Sequence, residues 1–195
     1  LNIGGVYIQK SDYPKALAYF HRALKIDEAI GDQKGTAKIA ANMGSVYYGL
    51  QNYKKALYFF DKAAQINEQI GNEADLAIVN RNRGGVYNSL GQPQKALACY
   101  EKANQLSVKR NDKALQARIL SDIALVYFNL EDYDKAISNS RLSLKAIASG
   151  AEDKQTVAFN HGVLGDSYLE KARKTAVNRS FLDSAMHHLK GAVQL

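Results

Sequence analysis

A few residues have types and spacings that invite chemistry, and each has a plainer explanation beside it. Arg83-Gly84-Gly85-Val86 is glycine-rich in the manner of a phosphate loop. Such a loop ends in Gly-Lys-Ser/Thr and follows a strand, and neither feature surrounds this one. Asp183 and His187 stand four apart, on one face of a helix, and offer a metal two ligands. A metal needs at least one more, and on a helix His188 points about 100° away, so the group reads as solvated surface. His161 lies near Asp166 in the chain, but no hydroxyl or thiol nucleophile occupies an evident elbow motif beside them. Cys99 is the single cysteine; it forms no internal disulfide, excludes a four-cysteine zinc site, and on a predicted helix reads as a partly buried, inert thiol. We expect no enzyme, no metal site and no cofactor.

The 12 tyrosines suggest stacking on nucleic acid. Most are explained otherwise, because Tyr7, Tyr47, Tyr87, Tyr127 and Tyr168, and again Tyr13, Tyr53 and Tyr133, recur at fixed places. The net charge of +7 permits an acidic partner without demanding nucleic acid. Lysines are scattered, as on a solvated face. The exception is the cluster Lys171, Arg173, Lys174 and Arg179, which reads either as a soluble loop or as an attractor of acidic groups. With 46% apolar and 23% charged residues, the 195-residue chain has the composition of a core-forming protein. No run of 18 apolar residues is present to span a membrane. No leader precedes the first residues, so we expect a cytoplasmic protein, an extracytoplasmic one remaining open if a signal lies upstream.

The elements that hold these residues follow from an internal repeat. Asn2-Ile-Gly-Gly-Val-Tyr7 returns as Asn42-Met-Gly-Ser-Val-Tyr47, as Asn82-Arg-Gly-Gly-Val-Tyr87 and, weakly, as Asp122-Ile-Ala-Leu-Val-Tyr127. Residues 1–31 and 41–71 share 14 of 31 positions without a gap. A second anchor repeats in phase: Tyr13-Pro-Lys-Ala-Leu17, Tyr53-Lys-Lys-Ala-Leu57, Pro93-Gln-Lys-Ala-Leu97 and Tyr133-Asp-Lys-Ala-Ile137. The repeats occupy about 1–32, 33–72, 73–112, 113–152 and 153–195. The last is degenerate: Tyr168 and Leu182 are 14 apart where Tyr47 and Tyr53 are 6 apart, which places an insertion within 171–179.

Each repeat reads as two helices. Met43, Val46, Tyr47 and Leu50 have i, i+3, i+4, i+7 spacing, as do Ala56, Leu57, Phe60, Ala63 and Ala64. We expect helix pairs near 1–10/13–30, 34–50/53–70, 74–90/93–110, 113–130/133–149 and 153–172/180–195. Ser11-Asp12, Gln51-Asn52, Gly91-Gln92 and Glu131-Asp132 mark the turns within pairs. Gly31, Gly71 and Asn111 suit the left-handed position after a helix, and Asp32, Asn72 and Asp112 suit the N-cap of the next. Gly4, Gly44, Gly84 and Ala124 face Ala16, Ala56, Ala96 and Ala136 where the two helices cross. Phe20, Phe60 and Tyr100 fill space toward the following repeat, above Ala23, Ala63 and Ala103. Ser140 and Ser143 replace the aromatic and the small apolar residue in the fourth repeat, which predicts looser packing there.

Gly-x-x-Tyr, then Ala nine residues on, Phe four later and Ala three later resembles the tetratricopeptide repeat over essentially the whole chain. The 40-residue period, with Ile30-Gly31-Asp32, Ala37 and Asn42 to Tyr47, is similar to the long-repeat subfamily that includes spindle-orientation adaptors and bacterial signalling proteins. The chain departs from the pattern at Ala40, Asn80 and Leu120, where a bulky residue is usual, and at Pro93. The resemblance implies an all-α fold, an α-solenoid of about five antiparallel helix pairs in a superhelix. First helices then line a concave groove, and the chain reads as one array, a piece of a longer protein.

The same resemblance places groove residues. They are Lys38, Ala41, Asn42, Ser45 and Tyr48 in the second repeat; Ile78, Arg81, Asn82, Gly85 and Asn88 in the third; and Arg118, Ser121, Asp122, Leu125 and Phe128 in the fourth. Gly5, Ser45 and Gly85 are small enough to let a ligand backbone approach. Asn2, Asn42 and Asn82 form an amide ladder that donates to and accepts from a peptide, and Arg81 and Arg118 suit a carboxylate. Equally, the asparagines bond neighbouring helices and the arginines pair with Asp122 and Asp75. A chaperone-type clamp for a Glu-Glu-Val-Asp tail is not expected, since Asn82 and Arg118 match it but Ala41, Ser45 and Asp122 do not. The function expected is a non-catalytic protein-interaction module holding a protein or peptide segment, acidic in one version, in its groove. The alternative is the sensor or regulatory segment of a larger bacterial signalling protein, a histidine kinase or helix-turn-helix regulator.

Overall fold

A computed structural model describes residues 3–148, 153–174 and 179–193. Among them are ten α-helices and no strand: α1 (Ile3–Gln9), α2 (Tyr13–Ile30), α3 (Gln33–Gly49), α4 (Tyr53–Gln69), α5 (Glu73–Ser89), α6 (Pro93–Lys109), α7 (Lys113–Asn129), α8 (Tyr133–Ala148), α9 (Lys154–Lys174) and α10 (Arg179–Val193). The expected helix ends lie within two residues of these wherever they are described. In the first four pairs, three-residue connections leave no arrangement but antiparallel. The chain divides into two compact units, Leu1–Leu106 and Ser107–Leu195.

In six of the described connections an Asp or Asn stops one helix and starts the next. The backbone N–H of Asp32 donates to Asp27 O at 2.8 Å and that of Asn52 to Tyr47 O at 2.8 Å; Asp12, Asn72, Asp112 and Asp132 repeat the bond. Each thereby satisfies a carbonyl that the ending helix leaves without a partner. The side chain of the same residue then accepts a backbone N–H three residues on: Lys15 for Asp12, Gly35 for Asp32, Lys55 for Asn52, Leu115 for Asp112 and Lys135 for Asp132, at 2.9–3.2 Å. The preceding residue adopts the left-handed conformation. This is so at Gly31, Gly71, Gly91 and Asn111, and also at Ser11, Gln51 and Glu131, with φ of 57°, 57° and 59°. At those three the side chain meets the steric penalty that glycine avoids.

In the first unit the aromatic residue of each second helix lies on the glycine of its partner. A methyl group on Gly44 would sit 2.7 Å from the Phe60 ring, and one on Gly84 2.5 Å from the Tyr100 ring. The ring also reaches the next repeat, as the sequence suggests. Phe20 clusters with Met43 and Val46 of α3, and Phe60 with Leu76, Val79 and Val86 of α5. Both rings are 1% exposed.

The second unit is built differently. Ser140 and Ser143 are fully buried, and Ser140 Oγ has no hydrogen-bond partner among the described residues. A polar knot takes the place of the apolar seam. Ser143 Oγ donates to Ala117 O at 2.8 Å, and the Asn160 amide nitrogen lies 2.7 Å from Ser121 Oγ and 2.9 Å from Ser143 Oγ. Buried hydroxyls bonded in this way avoid the desolvation penalty of an orphan. The knot joins α7, α8 and α9. Farther along, Leu164 and Tyr168 of α9 pack with Ile137 of α8 and Ala185 of α10, and Gly165 meets Leu189. The described part of the insertion adds one turn to α9, which has 21 residues against 17 in α3, α5 and α7.

Candidate interaction face of the first helices

In the first unit α3 and α5 pack side by side. Lys38 and Ser45 are exposed on α3; Asn42 is half-buried. Tyr48, 40% exposed, shares a 3.0 Å hydrogen bond with Ser89 Oγ at the end of α5. That bond ties the two first helices together where the candidate face runs across them. Its ring leans on Tyr53 with centroids 5.9 Å apart. On α5, Ile78 is 46% exposed, and Arg81, Asn82, Gly85 and Asn88 are half-buried. Ser45 turns its hydroxyl back onto Ala41 O at 3.1 Å, which leaves a small, shallow position between Asn42 and Tyr48. Asn2 lies outside the described residues.

The second unit treats the corresponding positions otherwise. Ser121, expected on the groove, is 4% exposed and hydrogen-bonded to Ala117, Ser143 and Asn160. It is a packing residue, because Ser143, which replaces the small apolar residue on α8, meets it hydroxyl to hydroxyl at 3.0 Å. Arg118 is exposed, and its Nε donates to Asp153 Oδ2 at 3.1 Å. The acid it pairs with here is thus the N-cap of the next repeat. Asp153 also accepts the Thr156 backbone N–H at 3.1 Å; that bond, the Thr156 side chain and Arg118 hold its carboxyl below the ordinary range. In the first unit the Asp75 carboxylate accepts the Asn72 amide at 2.7 Å. Phe128 is half-buried against Tyr133, centroids 5.7 Å apart.

Three residues of the basic cluster are engaged within their own unit; the Arg179 side chain lies outside the described ones. Lys171 pairs with Asp134, Arg173 with Glu170 at 2.6 Å, and Lys174 with Glu131 at 2.8 Å while covering the Tyr133 ring. The Lys174 ammonium lowers the Glu131 pKa. Of the groups that invited chemistry, Gly84 carries the Tyr100 ring, and Cys99 is half-buried with its thiol pKa pushed up by burial. No group of three or more potential metal ligands occurs among the described residues. No described helix is long and apolar enough to cross a membrane. Two arrangements escape the sequence: the serine and asparagine knot, and a contact between His161 and His188. The first has a signal in Ser140 and Ser143; the second spans the insertion, where the repeat phase is lost.

The sequence profile of the Tetratricopeptide repeat matches residues 1–69, 35–107 and 75–148. No curated protein sequence matches the chain. Among solved structures, it is similar to BtubC from P. vanneervenii, with a TM-score of 0.85 and 18% identity over 98% of this chain and 76% of that one. A signal transduction ATPase with numerous domains from Pyrococcus horikoshii, which has a tetratricopeptide repeat sensor, gives 0.72 and 18% over 97% of this chain and 32% of that one. A putative kinesin light chain from Podospora anserina with nearly identical repeats gives 0.76 and 11% over 98% and 92%. These likenesses show an α-solenoid fold.

Proposed function

Since the chain belongs to the tetratricopeptide repeat family, whose members bind proteins or peptides, we propose that it is a non-catalytic interaction module that seats a partner's peptide segment across α3 and α5 of the first unit. The observation that supports this most is the exposure of Tyr48 and Ile78 on first helices whose own cores are already closed by Phe20 and Phe60. Ser45 and Gly85 leave room between them for a peptide backbone. Asn42 and Asn82 offer amides to it. Lys38 adds positive charge on a chain of net +7, which favours an acidic segment. The test is capture of partners by the tagged chain, followed by the same capture with Lys38→Glu and, as a matched charge change on a second helix, Lys54→Glu. A groove partner is weakened by the first and retained by the second. A partner retained equally by both ends this assignment of the face.

A second reading takes the chain as the sensor segment of a larger signalling protein. Its support is the likeness to the ATPase with a repeat sensor, of whose length this chain spans about a third. An effector segment contiguous with this chain in the full-length protein carries that reading, and a full-length protein without one removes it.

A further inference from the structure

We propose that the imidazoles of His161 and His188 form an acid-sensitive latch that holds α10 on α9. Their Nδ1 atoms lie 3.0 Å apart, with ring centroids at 5.2 Å. Both rings are half-buried. At that separation one nitrogen donates and the other accepts, so the contact holds a single proton. Adding a second proton sets two N–H groups head to head and two positive charges in contact.

The surroundings supply no counter-charge at hydrogen-bond range. Among the described residues, neither imidazole is hydrogen-bonded to a carboxylate. From α9, the Tyr168 ring stacks on His188 with centroids at 5.8 Å and planes 6° apart. From α8, Arg141 donates to the Tyr168 hydroxyl at 2.6 Å, bringing a fixed positive charge close to the pair. From α10 itself, His187 meets His188 edge-on at 5.1 Å. Asp183, one turn before His187, is the one carboxylate lining the same open recess on α10. Burial first, and then the neighbouring histidines and Arg141, depress the pKa of His188; burial and His187 depress that of His161.

The latch adds to an apolar attachment in which Phe181 of α10 stacks on Tyr168, centroids 6.2 Å apart. Ala185 is buried and Leu189 covers Gly165, yet Leu189 is still 37% exposed and Met186 55%. A group whose folded pKa is depressed stabilises the fold above its unfolded value, about 6.5 for histidine, and that contribution is lost as pH falls below it. Acid therefore loosens α10 and uncovers the Leu164–Tyr168 seam beneath it.

The test titrates the whole chain by NMR of the histidine ring protons and follows thermal unfolding at about pH 7.5 and about pH 5.5. His161 and His188 should titrate in two coupled steps below the ordinary value, with α10 amide signals shifting in step. The melting midpoint of wild type should fall by several degrees on acidification. His188→Gln and His161→Gln should lose less than half as much, and His21→Gln should lose as much as wild type. The inference is overturned if both rings titrate independently at the ordinary value, or if the Gln variants keep the full acid loss. Should either Gln variant fail to fold at neutral pH, the wild-type titration decides alone.

Discussion

The two compact units answer the same packing question in different chemistry. In the first, a ring rests on a glycine: Phe20 on Gly4, Phe60 on Gly44, Tyr100 on Gly84. In the second, the aromatic position is Ser140 and the glycine position Ala124, and the helices are joined by Ser121, Ser143 and Asn160. The substitution has a consequence for the first helices. An apolar seam needs no hydrogen bonds, so Lys38, Asn42 and Ser45 of α3 stay at the surface. A polar seam draws side chains inward: Ser121 is buried, and Arg118 is tied to Asp153. First-helix positions thus stay more open in the first unit than at Ser121 and Arg118 of the second.

The largest expected effect breaks the apolar seam. Gly44→Leu forces the Phe60 ring off its seat, and overpacking of this kind costs about 1–3 kcal/mol or more. Urea unfolding should show that loss in the first unit, and a midpoint equal to wild type would contradict the crossing. The polar seam is tested by Asn160→Leu, which removes the donor shared by Ser121 and Ser143. A buried group left without its partner costs about 1–3 kcal/mol, and the loss should appear in the second unit. If the variant is as stable as wild type, the knot is not what joins α7 to α9.

Smaller effects sharpen the comparison. Gln51→Gly relieves a left-handed non-glycine residue and should stabilise the first unit by about 1 kcal/mol; a destabilised variant would show that Gln51 is not strained. Arg118→Ala removes an exposed ion pair worth about 0–1 kcal/mol. Asp153→Ala also removes a cap worth about 1 kcal/mol, so it should cost more, while Asp153→Asn should keep most of the cap. Because the Asp153 carboxyl is held below its ordinary pKa, the pair contributes fully above about pH 3.9 and is lost as pH falls through the lowered value. Equal melting of the two alanine variants would count against the cap.

The helices and their ends were legible in the sequence because the same anchors recur in phase, so each repeat corroborates the others. The glycine seats and the caps at Asp32, Asn72 and Asp112 were legible for the same reason. The left-handed turns at Ser11, Gln51 and Glu131 were not, since those residue types do not report their own φ. The positions on α3 and α5 that the repeat register picks out are all exposed or half-buried. The burial of Ser121 was not legible, because it depends on what stands opposite on α8. The Arg118–Asp153 pair was not legible either, because its partners stand 35 residues apart, a distance that periodicity within one helix does not reveal.

The most direct test of the account asks which side of the first unit meets the partner. A photo-crosslinking residue is placed at Tyr48 on α3 or at Tyr58 on α4, which is 64% exposed and lies on a second helix. The account predicts that a captured partner crosslinks from position 48 and not from position 58. Crosslinking from position 58 alone would contradict it and move the interaction face to the second helices.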